Sequence, residues 1–232
     1  MRVAFVVDGF NVYHSLREAA RASPNRSMKW LDLQALCASY TATVFGPWAV
    51  LAGVYYFSAL AKHLEADNPD VVKRHQSYID ALRVSGVEVT LSNFKGKDNY
   101  IPFERCTFRI WPFRRFVRLP LSGCTIHFRK HEEKETDVAI ATKMFELLHT
   151  GVCDTVVIVS GDTDLLPAIR TARKLFPAQH VGVGFPFKRF NVELKNAVSR
   201  SFKIKPDQYA KHQFPDPVIL PNGQEIHKPR DW

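Results

Sequence analysis

Residues 2–13 read RVAFVVDGFNVY and set the pattern that the rest of the chain repeats. Residues 3–7 form an unbroken apolar run, which is typical of a β-strand covered on both faces. The run ends at Asp8-Gly9, and residues 11–22 then place apolar side chains at helical spacing. This stretch therefore predicts a buried strand that passes directly into a helix.

Short apolar runs and longer amphipathic segments keep alternating after this start. Further strands are predicted at residues 49–57, 87–91, 155–159, 180–184 and 202–204. Further helices are predicted at residues 31–44, 69–85, 136–149, 165–176 and 191–197. Strands that alternate with helices indicate βαβ units. We therefore expect a three-layer α/β fold, with a mainly parallel central sheet and helices on both of its faces.

The chain is long enough for one large domain. Its composition indicates which class of partner and which cellular compartment to expect. Its 232 residues hold 32 Lys and Arg against 23 Asp and Glu, a formal net charge of +9. That surplus favours a polyanion such as nucleic acid, although a merely solvated basic surface would give the same count. The four cysteines form no disulfide framework, no signal peptide is visible, and the longest apolar stretch, 48–60, is too short for a bilayer. We expect a cytoplasmic protein without membrane contact.

Four carboxylates fall where parallel strands end or a helix begins. Asp8 follows the first strand, Asp162 and Asp164 follow the strand at 155–159, and Asp137 heads a helix. Ligands of open α/β sheets bind at the carboxyl ends of the strands, and crowded carboxylates call for a hard divalent cation. Taken singly, Asp8 could be a turn residue, Asp164 a helix cap and Asp137 a favourable charge at a helix start.

Three segments of the chain resemble the motifs of NYN domains, PIN-like nucleases that include the DUF88-type bacterial proteins. The segments are VVDGFNVY at 6–13, EEKETDVAIA at 132–141 and VSGDTDLLP at 159–167. The resemblance extends over about residues 2–205 and implies a PIN-like, Rossmannoid fold. The family's acidic positions correspond to Asp8, Asp137, Asp162 and Asp164, and its polar position in the first motif corresponds to Asn11.

The resemblance implies Mg²⁺- or Mn²⁺-dependent cleavage of RNA, with endonuclease action at the four aspartates. One ion held by Asp8, Asp137 and Asp162 would activate a water, and a second near Asp164 would stabilise the leaving oxygen. Asn11 cannot ionise and is assigned to positioning the substrate or a metal-bound water. The alternative is a non-catalytic RNA-binding or scaffolding NYN module, because a fold does not guarantee an activity.

Residues 94–134 form a basic, aromatic insertion in the proposed nuclease domain 1–205. We expect short antiparallel strands or a flap there, with cations for phosphates and aromatic rings for unpaired bases. The aromatic rings could instead form a small core of the flap, with the arginines as its solvated face. The predicted RNA-binding residues are Arg109, Arg114, Arg115, Arg118, Arg129, Lys130, Lys134, Lys188 and Arg189.

The proline-rich C-terminal extension, residues 206–232, is expected to wrap the domain as an extended tail. Its stretch LPNGQEI predicts a hairpin at Asn222-Gly223. We consider it the segment through which the chain would meet a protein partner or a second copy of itself.

A zinc site within the insertion is the weaker hypothesis. Cys124, His127 and His131 have the spacing of half a zinc site, and Cys106 is the further candidate ligand. The chain has no C-x-x-C pair, and Cys106 is distant from the other three in sequence. We therefore expect no zinc in protein purified without chelator, and elemental analysis would decide this.

Replacing Arg114 and Arg115 together by Ala should flatten the salt dependence of RNA affinity. Each phosphate contact releases counterions and contributes roughly 0.7 to the slope for single strands, so the pair should change it by about one unit or more. The measurement is RNA binding across a salt series. An unchanged slope would mean that these arginines contact no phosphate.

Overall fold

The computed structural model describes residues 1–23, 27–103, 106–110, 115–119, 124–230 and 232, without the side chains of 101–126 and 128–134. The chain divides into two units, residues 1–93 with 134–232, and residues 94–133. The strands are β1 Arg2–Asp8, β2 Val50–Ala59, β3 Glu88–Phe103, β4 Cys106–Ile110, β5 Arg115–Leu119, β6 Cys124–Lys134, β7 Thr155–Val159, β8 His180–Phe185, β9 Arg200–Lys203, β10 Val218–Ile219 and β11 Glu225–Ile226. The α-helices are α1 Gly9–Ala22, α2 Leu33–Phe45, α3 Val71–Val84, α4 Thr136–His149, α5 Leu166–Leu175, α6 Val192–Ala197 and α7 Pro206–Lys211. Short 3₁₀ turns lie at Lys62–Leu64 and Thr163–Leu165.

The first unit is built on a parallel sheet with the strand order β3-β2-β1-β7-β8-β9. Strand β1 lies in its interior, and its side chains alternate between two apolar layers. Val3, Phe5 and Val7 belong to the core shared with α1, α2 and α3. Ala4 and Val6 belong to the core shared with α4, α5 and α6. The predicted α/β fold, with helices on both faces of a mainly parallel sheet, is confirmed.

The bounds of individual elements follow local chemistry. Helix α4 and strand β7 have the predicted bounds, 136–149 and 155–159. Helix α2 begins at Leu33 rather than at residue 31, because the Asp32 carboxylate accepts a hydrogen bond from the backbone N–H of Ala35 at 2.9 Å. This N-cap satisfies a donor that the first helical turn leaves unpaired.

The second unit contains the predicted antiparallel strands. Strands β4 and β5 pair antiparallel, with Cys106 opposite Leu119 and Arg109 opposite Phe116. Strand β3 does not end at residue 91, as the apolar run predicts, but continues to Phe103. Strand β6 is its neighbour in the sheet order. Backbone pairing thus carries the strand through polar residues that interrupt the apolar pattern.

Most side chains predicted to contact RNA or zinc lie outside the described part of the chain. Arg114 is not among the described residues, and His127 is the described side chain of the zinc candidates. The other undescribed side chains are those of Arg109, Arg115, Arg118, Arg129, Lys130, Lys134, Cys106, Cys124 and His131. Their assignments stay predictions.

The C-terminal segment is not the extended tail that its prolines suggest. Residues 206–211 form helix α7, because Pro206 occupies the first helical turn, where it costs no hydrogen bond. Tyr209, Phe214 and Val218 are buried in the core of α1 and α2. The predicted hairpin is present as β10 and β11, with Gly223 at φ +84°. The aromatic residues of this segment therefore complete the apolar layer on one face of the sheet.

Tyr209→Phe should reveal how much this segment stabilises the domain. The Tyr209 hydroxyl shares a hydrogen bond with that of Ser15 at 2.8 Å and accepts one from the backbone N–H of Phe187 at 3.1 Å. Losing the hydroxyl removes the partner of the buried Ser15 hydroxyl and of the half-buried Phe187 N–H, so the free energy of unfolding should fall by about 1–3 kcal/mol. Chemical denaturation measures this. The control is Tyr100→Phe, where the residue is 66% exposed, and equal losses in both variants would contradict the expectation.

Candidate functional site

The first and third sequence motifs meet at the carboxyl edge of the sheet. Strands β1 and β7 are parallel neighbours with Val7 opposite Val159, so the residues after them emerge side by side. Asp8 ends β1, and Ser160 directly follows β7. The second motif reaches the same site through α4, which contacts β1, β2 and β7 and carries Asp137 in its first turn.

Asp8 is a buried carboxylate with three hydrogen-bond donors. Its residue is 4% exposed. One carboxylate oxygen accepts from the backbone N–H of Asn11 at 3.0 Å, which caps α1 and starts that helix at Gly9 rather than residue 11. The other accepts from Asn11 Nδ2 at 2.6 Å and from Ser160 Oγ at 2.8 Å. Burial raises the pKa of Asp8, while these hydrogen bonds oppose that shift by stabilising the carboxylate.

Asn11 and Ser160 connect the two strand ends. The Asn11 side-chain oxygen accepts from the backbone N–H of Gly161 at 3.2 Å, so both ends of its amide have protein partners. Ser160 Oγ also accepts from the backbone N–H of Asp162 at 3.1 Å. Sequence reasoning assigned Ser160 no role, although its position between β7 and Asp162 was the available signal. These bonds form a network that joins residues about 150 positions apart in the chain.

Three further carboxylates converge beside this network. Asp137, Asp162 and Asp164 each offer one oxygen, and these oxygens lie within 4.8 Å of one another. Asp162 also accepts a hydrogen bond from the backbone N–H of Asp164 at 3.0 Å. The pKa of Asp137 is raised, first by partial burial and then by the neighbouring carboxylates. An all-oxygen donor set of this charge fits a hard cation such as Mg²⁺ or Mn²⁺.

The structure thus brings three of the four predicted acids into one cluster and sets the fourth slightly apart. Asp8 is not in the set within 4.8 Å, and its two oxygens accept the hydrogen bonds from Asn11 and Ser160. Its charge still acts on Asp137, where it contributes to the raised pKa. The buried and the exposed acids therefore belong to one site with two different environments.

The loop after β8 packs closely against the acidic site. A side chain on Gly161 would collide with the backbone of Arg189, so the close approach requires glycine. The Arg189 guanidinium donates to Glu18 of α1 at 2.6 Å. Lys188 adopts a left-handed backbone with φ +61°, and its ammonium lies 5.6 Å from the ring centre of Phe187. Of the two predicted RNA-binding cations on this loop, Arg189 is thus paired within the protein.

The side chain of His127, one of the zinc candidates, contacts Tyr100 and Asp98. Its ring stacks on Tyr100 with centroids 4.7 Å apart, and Nε2 lies 3.6 Å from the Asp98 carboxylate. Among the described side chains, the three clustered aspartates are the group arranged to hold a metal ion. The zinc hypothesis stays a prediction, because its other ligands lie outside the description.

The chain is similar to known proteins over different parts of its length. The family model of the NYN domain matches residues 111–205, which include the second and third motifs. This match confirms the resemblance inferred from the motifs. No helix in the described ranges combines the length and the apolar character that crossing a membrane requires.

Two individual proteins are similar along nearly the whole chain. One is 6-hydroxy-3-succinoylpyridine 3-monooxygenase HspA of Pseudomonas putida, 25% identical over 248 residues that cover all of this chain and 75% of that protein. The other is a protein of unknown function from Vibrio parahaemolyticus, whose crystal structure superposes with a TM-score of 0.53 at 20% identity. That superposition covers 89% of this chain and 94% of the other, and it shows a likeness of fold.

Asp137→Asn should stabilise the metal-free protein at pH 7. A raised carboxyl pKa means that the ionised form destabilises the fold above that pKa, and that the penalty is absent below the usual value of 3.8. The gain should be at most about 1 kcal/mol, because exposed charge pairs contribute little, and it should vanish as the pH falls below about 4.

Thermal unfolding in chelator at pH 7 and pH 3.5 measures this effect. The matched control is Asp80→Asn on α3, which removes a surface charge hydrogen-bonded to Gln76 at 2.9 Å. Added Mn²⁺ should raise the melting temperature of the unmodified protein more than that of Asp137→Asn. A lower stability of Asp137→Asn at pH 7 in chelator would show that the carboxylate makes a favourable contact instead.

Proposed function

We propose that the protein is a Mg²⁺- or Mn²⁺-dependent endoribonuclease, because residues 111–205 match the family model of the NYN domain, a nuclease-type family. It hydrolyses RNA phosphodiester bonds at the aspartate cluster. The observation that carries the proposal is the convergence of Asp137, Asp162 and Asp164 next to the buried Asp8. Carboxylates alone would repel an anionic phosphodiester, so such a cluster serves this reaction when it holds a cation.

We assign some residues of the site to cation binding and others to holding the site in position. Asp137, Asp162 and Asp164 would hold the cation, each with one carboxylate oxygen. A bound divalent ion supplies polarisation of the phosphoryl oxygen and a lower pKa for a coordinated water. Asp8 remains a candidate ligand, because a carboxylate oxygen accepts more than one contact. Asn11 supports the site by holding Asp8 and the backbone of Gly161 together.

The surroundings of the chemistry favour RNA in a reducing compartment. The net charge of +9 attracts a polyanion. Without this surplus, the carboxylates of the site would repel such a partner. Cys37 and Cys153 are buried free thiols, which suits the cytoplasm. A homo-oligomer or a protein partner through residues 206–232 stays a hypothesis, as does RNA binding by the insertion.

The alternative is an RNA-binding or scaffolding module without catalysis. All four acidic positions of the motifs are present, whereas a degenerate site would be expected to lose a carboxylate. The cluster of three further depends on Asp162, which caps the turn at 163–165 and would offer an oxygen to a cation. These features favour catalysis over binding alone.

Purified protein incubated with a mixed RNA pool should cleave it with Mn²⁺ or Mg²⁺ and stop when chelator is added. Asp162→Asn keeps the shape but removes a ligand charge, so cleavage should fall by more than about a hundredfold with little change in folding. Asp80→Asn should cleave at the normal rate. Product ends mapped on a labelled RNA distinguish internal cleavage from trimming.

Wild-type cleavage by Asp162→Asn would overturn the assignment of the site. Protein that leaves RNA intact in every metal would contradict the proposed function itself. In that case the RNA-binding module would account for retained affinity. The next activity to assay would then be the 6-hydroxy-3-succinoylpyridine 3-monooxygenase reaction for which the Pseudomonas protein is named.

A further inference from the structure

One face of helix α1 carries aromatic side chains where a surface helix usually carries charges. Phe10, Tyr13, His14 and Arg17 are spaced i, i+3, i+4 and i+7, which places them on one side of the helix. Phe10 is half-buried, Tyr13 is 39% exposed, and His14 and Arg17 are exposed. We call these four residues the α1 stripe. The opposite face of the helix is buried in the core and accounts for its folding.

The rings of the α1 stripe contact one another and form a continuous surface. Phe10 and His14 lie with ring centroids 6.4 Å apart, and Tyr13 and His14 lie 5.7 Å apart, edge to face. The Arg17 guanidinium lies 5.7 Å from the centre of the Tyr13 ring, within the range of a cation–π contact. The helix thus presents three aromatic rings followed by a planar cation.

The α1 stripe begins at the acidic site. Asp8 caps α1, and the Asn11 of the network lies in the first turn of the same helix. At 1.5 Å of rise per residue, the stripe extends about 10 Å along the helix from Phe10 to Arg17. Burial and the charges of Arg189 and Arg17 lower the pKa of His14, while Glu18 and Asp8 act on it in the opposite direction. The helix therefore leads from the carboxylates directly along the aromatic surface.

We propose that the α1 stripe is a stacking platform for unpaired bases of single-stranded RNA, and that it gives the protein a preference for single strands over duplexes. The proposal rests on the proposed function. Bases of any sequence stack on aromatic rings, and Arg planes add to this stacking. A duplex keeps its bases stacked internally and cannot offer them to such a platform. A polyanion also complements the +9 chain and the cation at the end of the stripe.

The test is binding of a single-stranded oligonucleotide and a matched duplex by protein in the non-cleaving Asp162→Asn background. Tyr13→Ala should weaken single-strand affinity by about 5- to 100-fold, the loss of one base–aromatic contact, and leave duplex affinity within about twofold. Tyr13→Phe should retain most of the affinity, because the ring remains. Trp48→Ala is the matched control: Trp48 is 89% exposed and precedes β2, whose first residue pairs with Arg2 at the amino end of β1.

A second readout follows a fluorescent adenine analogue, 2-aminopurine, placed along the oligonucleotide. Stacking quenches its emission, so one position should be quenched by the Asp162→Asn protein and recover with the added Tyr13→Ala. Equal melting temperatures of the paired variants exclude a folding defect. Unchanged single-strand affinity and unchanged quenching would overturn the platform. The α1 stripe would then be a candidate contact surface for a protein partner.

The outcomes separate this proposal from the one on which it rests. If the unmodified protein cleaves RNA and Tyr13→Ala changes neither affinity nor strand preference, the ribonuclease stands and the platform is wrong. If the unmodified protein cleaves no RNA but Tyr13→Ala loses single-strand binding, the platform is correct and the protein is a non-catalytic RNA-binding module. A loss for duplex equal to the loss for single strands would also overturn the platform, because stacking requires unpaired bases.

Discussion

The burial of the Asp8 carboxylate is the constraint on which the rest of the site depends. A buried carboxylate without donors would cost several kcal/mol, so its neighbours are restricted to groups that donate to it. Asn11 supplies two donors and Ser160 a third. Ser160 Oγ then accepts from the backbone N–H of Asp162, and the Asp162 carboxylate accepts from the backbone N–H of Asp164. Hydrogen bonds thus connect Asp162 and Asp164 to the buried carboxylate, whereas Asp137 is positioned by helix α4.

The site carries negative charge, whereas the chain as a whole is positively charged. The protein has a surplus of nine positive charges, yet its ion pairs among the described side chains lie elsewhere. Arg189, on the loop packed against Gly161, is paired with Glu18 rather than with an acid of the cluster. On the proposed function, the carboxylates around Asp137 would attract a cation from solution, and the positive surplus of the chain would attract a polyanion.

Local patterns predicted the parts of the fold that local chemistry determines. The apolar runs located every strand of the parallel sheet, and the bounds of α4 and β7 were correct. Strand β7 is buried along its whole length, which favours an uninterrupted apolar run. The role of Ser160 and the extension of β3 were not predictable in this way. Both depend on partners distant in sequence, Asp8 for the serine and β6 for the strand. The proline-rich end was misjudged for the same reason, since the buried position of Tyr209 depends on Ser15.

Helix α1 connects the chemistry of the site with the surface beside it. Its buried side chains fix the helix against the sheet, so its first turn holds Asn11 in reach of Asp8. The aromatic face is then oriented by the same packing and needs no loop to order on binding. A platform on a rigid helix loses little conformational entropy when a base stacks on it. The packing that positions the carboxylates therefore also fixes the direction in which a bound strand would leave them.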